Sequence, residues 1–118
     1  MSTERRAKRS EDRQEALQYL MEALADRSPE VAAVALIDGG GKIVAGTGMP
    51  HELLGLAKIA GPLARGAEAP EFDVVTEGTD LLMRDFRVGG SAFVLAALGT
   101  RVRRMHDAVR GAARILTN

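Results

Sequence analysis

Residues 31–47 read VAAVALIDGGGKIVAGT, and this stretch decides the fold. It is apolar from Val31 to Ile37 on both faces of an extended segment, which is typical of a strand in the middle of a sheet covered on both sides. The run from Asp38 to Gly41 supplies the positive φ angles of a tight hairpin turn. Lys42 to Thr47 then returns as a second strand with a mixed pattern, nearer the sheet edge.

A helix is expected on either side of this hairpin. Ser10 is a suitable cap for a first helix over about 10–27, in which leucines recur at helical spacing, and residues 1–9 are expected to be a disordered basic tail. Pro50 suits the first turn of a second helix near 50–66. Because Pro62 removes a backbone hydrogen bond, we expect it to kink this helix or end it early.

Three more strands and a last helix follow. Alternating residues predict an edge strand over Phe72–Glu77, and apolar residues on two faces predict strands over 80–88 and 91–98, joined by Gly89 and Gly90. Thr100 is expected to cap a last helix with an apolar stripe. The stripe comprises Val102, Met105, Val109, Ala112 and Leu116. The order α-β-β-α-β-β-β-α predicts one α+β domain over 10–118, with a five-stranded antiparallel sheet and helices on both faces.

Composition narrows the class of protein. A chain of 118 residues makes one domain, and the absence of cysteine excludes a disulfide scaffold, a thiol nucleophile and a zinc-thiolate site. No apolar run approaches the roughly 20 residues that span a bilayer, so we expect a cytoplasmic protein without membrane insertion. Residues 1–9 carry a net charge of +3 and residues 100–118 one of +4, within a neutral chain. These basic ends are either solvated faces or a docking surface for an acidic partner; nucleic acid is not expected, because no aromatic residues interleave with the arginines.

No motif predicts catalysis. The Gly39–Lys42 turn lacks the Ser or Thr of a phosphate-binding loop and leads into a strand rather than a helix. The two histidines, His51 and His106, lack metal-binding spacing, and Ser91 lacks the glycine pattern of a nucleophile elbow. We therefore expect no enzyme activity, no metal and no cofactor.

The second helix is nearly apolar all round, and only Glu52, Lys58 and Arg65 interrupt it. A surface helix normally shows a polar face, so this pattern predicts that a second subunit covers one side. A broken helix or a loop is the alternative. We expect the homodimer interface to comprise Leu53, Leu56, Ile59, Ala60, Pro62, Leu63, Phe72, Val74 and Thr76.

The order of elements, the strand VAAVALID, its glycine turn and the small-residue helix resemble the roadblock (dynein light chain roadblock) family over about residues 10–117. The resemblance implies a longin-like or profilin-like fold, and a homodimer joined through the second helix and third strand. It also implies a non-enzymatic platform for Ras-like small GTPases. Short bacterial members similar to MglB and its paralogue MglC regulate cell polarity and gliding motility, some by stimulating a GTPase and others by binding another roadblock protein or polarity regulator.

Two further expectations concern binding. Arg101, Arg103 and Arg104 are predicted in the first turn of the last helix, where cations are disfavoured, so contact with an acidic partner is one explanation. The alternative to a GTPase-related function is a profilin-like sensor domain that binds a small ligand, which requires a pocket of some hundreds of Å³.

Overall fold

A four-stranded antiparallel sheet lies at the centre of the computed structural model, which describes residues 2–69, 76, 79–99 and 104–117, with side chains from residue 11 onward. Strands β1 (Val31–Asp38), β2 (Ile43–Thr47), β3 (Leu81–Val88) and β4 (Ser91–Gly99) stand in the order β2-β1-β4-β3. The helices are α1 (Ser2–Arg27), α2 (Pro50–Ala64) and α3 (Met105–Thr117). Helix α2 covers one face of the sheet, while α1 and α3 cover the other.

The central position of β1 and β4 confirms what their sequences predict. On β1, Val34 and Leu36 face α1 and α3, whereas Ala33, Ala35 and Ile37 face α2, and all five are at most 1% exposed. Burying each of the larger aliphatic side chains contributes about 1.5–3 kcal/mol. A register shift between Val31 and Ala33 moves Val31 to the α1 face, so the alternation predicted from the sequence fails at that one residue.

The glycine hairpin forms as predicted. Asp38 Oδ1 accepts hydrogen bonds from the N–H groups of Gly40 and Lys42, at 3.0 and 2.9 Å, and Gly41 has a φ of 84°. The turn joins two antiparallel strands, and the amides of Gly40, Gly41 and Lys42 are already paired with Asp38. It therefore lacks both the helix and the free amides of a phosphate-binding loop.

Helix α1 is longer than predicted. It begins at Ser2, so the backbone of residues 2–9 continues the helix where the sequence predicted a disordered tail. The residues from Glu4 to Arg9 are all good helix formers, and Glu4 and Lys8 stand four positions apart, a favourable spacing. Helix propensity in a segment joined to a packed helix outweighs the polar composition that suggested disorder.

Helix α2 begins at Pro50 as predicted, and it continues past Pro62 to Ala64. The carbonyl that Pro62 leaves without a helical partner belongs to Lys58, an exposed residue, where water can replace the bond. The helix ends at Ala64. Just beyond it Gly66, at φ 75°, donates its N–H to the carbonyl of Leu63, and the N–H of Ala67 donates to the carbonyl of Pro62. This pair of bonds is a Schellman motif, which satisfies the final carbonyls.

Two other predictions need correction. The described residues form four strands rather than five, and Thr76, predicted in a strand, has a helical backbone and is 3% exposed. The rest of that predicted strand lies outside the described residues. Helix α3 begins at Met105, so Arg104 precedes it with a φ of 57° instead of lying in its first turn. The predicted cap Thr100 and stripe residue Val102 lie outside the described residues.

Candidate interaction surfaces

The outer edge of β2 is closed by side chains of α1. The amide of Gln18 both donates to the carbonyl of Gly46, at 2.7 Å, and accepts from its N–H, at 3.1 Å. One helical turn away, Gln14 donates to the carbonyl of Val44. These contacts replace the hydrogen bonds that a neighbouring strand would make, so the sheet cannot be extended past β2 without displacing α1.

The outer edge of β3 differs. Within the described ranges β3 pairs with β4 alone, along its whole length. Arg84, Asp85 and Arg87 are exposed on this strand, and such charges discourage indiscriminate pairing of edge strands. Among the described residues, therefore, the β2 edge is covered by α1, whereas β3 pairs with no further strand on its outer side.

Helix α2 is buried on more sides than an ordinary surface helix, and the residues that cover it belong to the same chain. Leu56 and Ala60 pack on the sheet and are 0% exposed, as is Ile59 on the flank of the helix. These three predicted interface residues are buried within the single chain. Leu53, Pro62 and Leu63 are half-buried. Of the other predicted interface residues, Thr76 is buried, and Phe72 and Val74 lie outside the described residues.

The exposed apolar side chains of α2 are ones that the sequence prediction did not select. Leu54 is 62% exposed and Met49, just before the helix, is 58% exposed. Leu54 shares the outward face with Lys58 and Arg65. Helical periodicity could have identified Leu54 as exposed, because position 54 lies nearly opposite Leu56 and Ala60. Interpretation of the helix as apolar on all sides gives no reason to choose one side as the exposed one.

The predicted arginine cluster is described only at Arg104, since Arg101 and Arg103 lie outside the described residues. Arg104 is exposed and borders a small groove between α1 and α3, together with Arg27 and Asp107. Because it precedes α3, the argument from cations in the first helical turn does not apply to it.

A second groove lies at the end of the sheet that carries the two glycine turns. Its volume is about 190 Å³, and its lining combines the charged residues Arg65, Asp85 and Arg87 with small residues and with Phe86 and Phe93. Ligand pockets usually measure about 300–1,000 Å³, so this groove is small for a sensor domain. We find no support in it for the small-ligand alternative.

Helix α2 on one face of a four-stranded antiparallel sheet and two helices on the other define a three-layer α+β fold. A solved structure of Myxococcus xanthus MglB is similar, with a TM-score of 0.50 and 15% sequence identity, over 88% of this chain and 86% of that chain. No family model and no curated protein sequence matches the chain. The likeness shows that this chain shares the α+β architecture of MglB, and at 15% identity it shows the fold alone. Within the described residues no helix is long and apolar enough to cross a membrane.

Proposed function

We propose that this chain is a cytoplasmic, non-enzymatic roadblock-like protein that forms a homodimer and regulates or scaffolds a bacterial Ras-like small GTPase system. The observation that carries the proposal is the likeness to MglB over 88% of the chain. Fold alone does not determine function, so the surfaces matter as well. A sealed sheet edge, an open one and an exposed leucine on α2 are features of a protein that works by binding.

The asymmetry of the sheet supports the homodimer. With β2 closed by Gln14 and Gln18, a second copy extends the sheet on the β3 side. Leu54 then supplies an exposed apolar contact on the outward side of α2. In this arrangement Leu56, Ile59 and Ala60 support the interface from beneath, by holding α2 in place.

Substituting Leu54 with Glu is expected to weaken the homodimer without unfolding the chain. Burial of a leucine contributes about 1.5–3 kcal/mol, which corresponds to roughly a tenfold or larger rise in the dissociation constant. Sedimentation equilibrium measures the constant, and Ala32→Glu, which adds the same charge at an exposed position on β1, is the control. A monomeric wild-type chain at micromolar concentration, or a Leu54→Glu dimer as tight as wild type, would contradict the proposal.

The partner of the dimer is tested by direct binding to Ras-like GTPases and roadblock proteins of the same organism. An activating role, as in some MglB-like proteins, predicts faster GTP hydrolysis by the partner. A scaffolding role, as in MglC-like proteins, predicts binding without a change in that rate.

A further inference from the structure

The layer formed by α1 and α3 carries two charged rows that point away from the sheet. On α1, the acidic ridge consists of Glu15, Glu22 and Asp26, all exposed. On α3, the basic ridge consists of His106, Arg110 and Arg114, also exposed and spaced by one helical turn. Each ridge lies opposite the buried stripe of its own helix, which is Leu17, Met21 and Leu24 on α1 and Met105, Ala108 and Ala112 on α3.

Helices α1 and α3 are antiparallel neighbours, and the contacts between them show which of their residues lie at the same height along the helix axes. Arg27 and Leu24 of α1 border the same groove as Arg104 and Asp107 of α3. Further along, Leu20 lies 3.4 Å from the position of a Cβ at Gly111. Residues 27 and 20 of α1 therefore stand level with residues 104 and 111 of α3. Counted along the helix axes at about 1.5 Å per residue, Asp26 lies within about 1.5 Å of the height of His106, and Glu22 within about 1.5 Å of the height of Arg110. Glu15 lies within about 3 Å of the height of Arg114.

The ridges do not neutralise each other within one chain. Both point outward from helices whose axes are typically 8–10 Å apart, and the structure contains no ion pair between them among the described residues. Arg110 and Arg114 are like charges four residues apart, a spacing that destabilises an isolated helix. Asp107, which is exposed three residues before Arg110 on the same helix, offsets part of this repulsion, and acidic groups opposite the row would offset the rest.

We propose that the α1/α3 layer is a self-association surface on which a second copy of this chain packs face to face. A two-fold axis parallel to the helices and midway between them places α1 of one copy opposite α3 of the other. It keeps every residue at its own level, so Glu22 meets Arg110 of the second copy and Glu15 approaches Arg114. The contact is isologous, because each copy offers both ridges.

One aromatic residue strengthens the match. Tyr19, the single tyrosine of the chain, is 74% exposed and lies on the acidic ridge between Glu15 and Glu22. Along the helix axis, Tyr19 lies at a height between Arg110 and Arg114. When the two copies pair, its ring therefore lies between the guanidinium groups of these two arginines of the second copy, and guanidinium groups stack favourably on aromatic faces. This surface is on the opposite side of the sheet from α2, so it operates independently of the homodimer proposed above and adds to it.

Charge reversal tests the pairing. Arg110→Glu with Arg114→Glu makes both ridges acidic, and Glu15→Arg with Glu22→Arg makes both basic. Each double variant is expected to lose the salt-sensitive part of self-association by at least tenfold in dissociation constant, measured by sedimentation at about 20 mM and about 300 mM salt. An equimolar mixture of the two variants is expected to associate again, because every acidic ridge then faces a basic one.

The controls separate this surface from others. Lys42→Glu changes the net charge in the same direction at the turn between β1 and β2, outside both proposed interfaces, and is expected to associate as wild type does. Tyr19→Ser weakens association without altering charge. All substituted positions are exposed, so thermal unfolding by circular dichroism should stay near that of wild type.

The proposal is overturned if wild-type association is absent or independent of salt, if the reversed variants associate normally, or if their mixture stays apart. The α2 dimer would instead respond to Leu54→Glu and not to the charge reversals on α1 and α3, so the failure of either proposal is recognisable.

Discussion

Substituting Gly99 with Ala should unfold the protein or bring it close to unfolding. Gly99 ends β4 at a φ of 147°, a conformation that side chains rarely adopt. A Cβ there would lie 2.5 Å from both the carbonyl oxygen of Glu30 and the Cα of Val31. Both atoms are backbone at the start of β1, so relief requires the two central strands to separate locally.

The free energy of unfolding is expected to fall by about 4 kcal/mol or more, because backbone strain costs about 1–3 kcal/mol and overpacking costs a similar amount. Domains of this kind are stable by about 5–15 kcal/mol, so much of the stability is lost. Thermal and urea unfolding by circular dichroism measure it. Gly40→Ala is the matched control, because the nearest atom to its Cβ is 3.5 Å away and it should behave nearly as wild type does. A Gly99→Ala protein within about 1 kcal/mol of wild type would show that the strands are not packed as described.

Substituting Ile59 with Glu should also abolish the fold, and this result separates the core of the chain from its binding surface. Ile59 is 0% exposed, so a carboxylate there is buried without an established partner and the aliphatic burial is lost. Together these cost about 4 kcal/mol or more. If Ile59 were a dimer contact, as the sequence suggested, the variant would instead be a folded monomer.

Circular dichroism and size-exclusion chromatography distinguish the two outcomes. Ile59→Val, which removes one methylene, should cost about 0.5–1.5 kcal/mol and remain folded. Leu54→Glu introduces the same carboxylate on the exposed face of the same helix and should melt near the wild-type temperature. A folded, monomeric Ile59→Glu protein would restore the sequence-based assignment.

The centre of the fold could be predicted because the signals there are local and strong. Apolar residues on both faces of β1 and β4 leave few positions other than the middle of a sheet, and Asp38 followed by three glycines specifies a hairpin. The stripe of α3 was similarly informative, since Met105 and Ala112 are buried and Val109 and Leu116 pack beside them.

The candidate surfaces were less predictable, because burial depends on what the rest of the chain covers. Periodicity shows that Ile59 is apolar but not whether its own chain or a second one buries it. The glutamines that close β2 act over separations of 28 and 30 residues, and no local pattern marks them. Arg104 was misplaced because amphipathic spacing continues from Val102 into α3, whereas the backbone enters the helix only at Met105.

The proposed function requires that this chain binds a component of a Ras-like GTPase system. The most direct measurement is the affinity of the purified chain for each Ras-like GTPase and each other roadblock protein encoded in the same genome. Biolayer interferometry would be run with every GTPase loaded with GDP and with a non-hydrolysable GTP analogue. The account predicts a dissociation constant of about 10 µM or tighter for at least one of these proteins, within the usual range of regulatory contacts. It also predicts a difference between nucleotide states when the partner is a GTPase. Failure of all of them to bind at about 100 µM, in either nucleotide state, would contradict it.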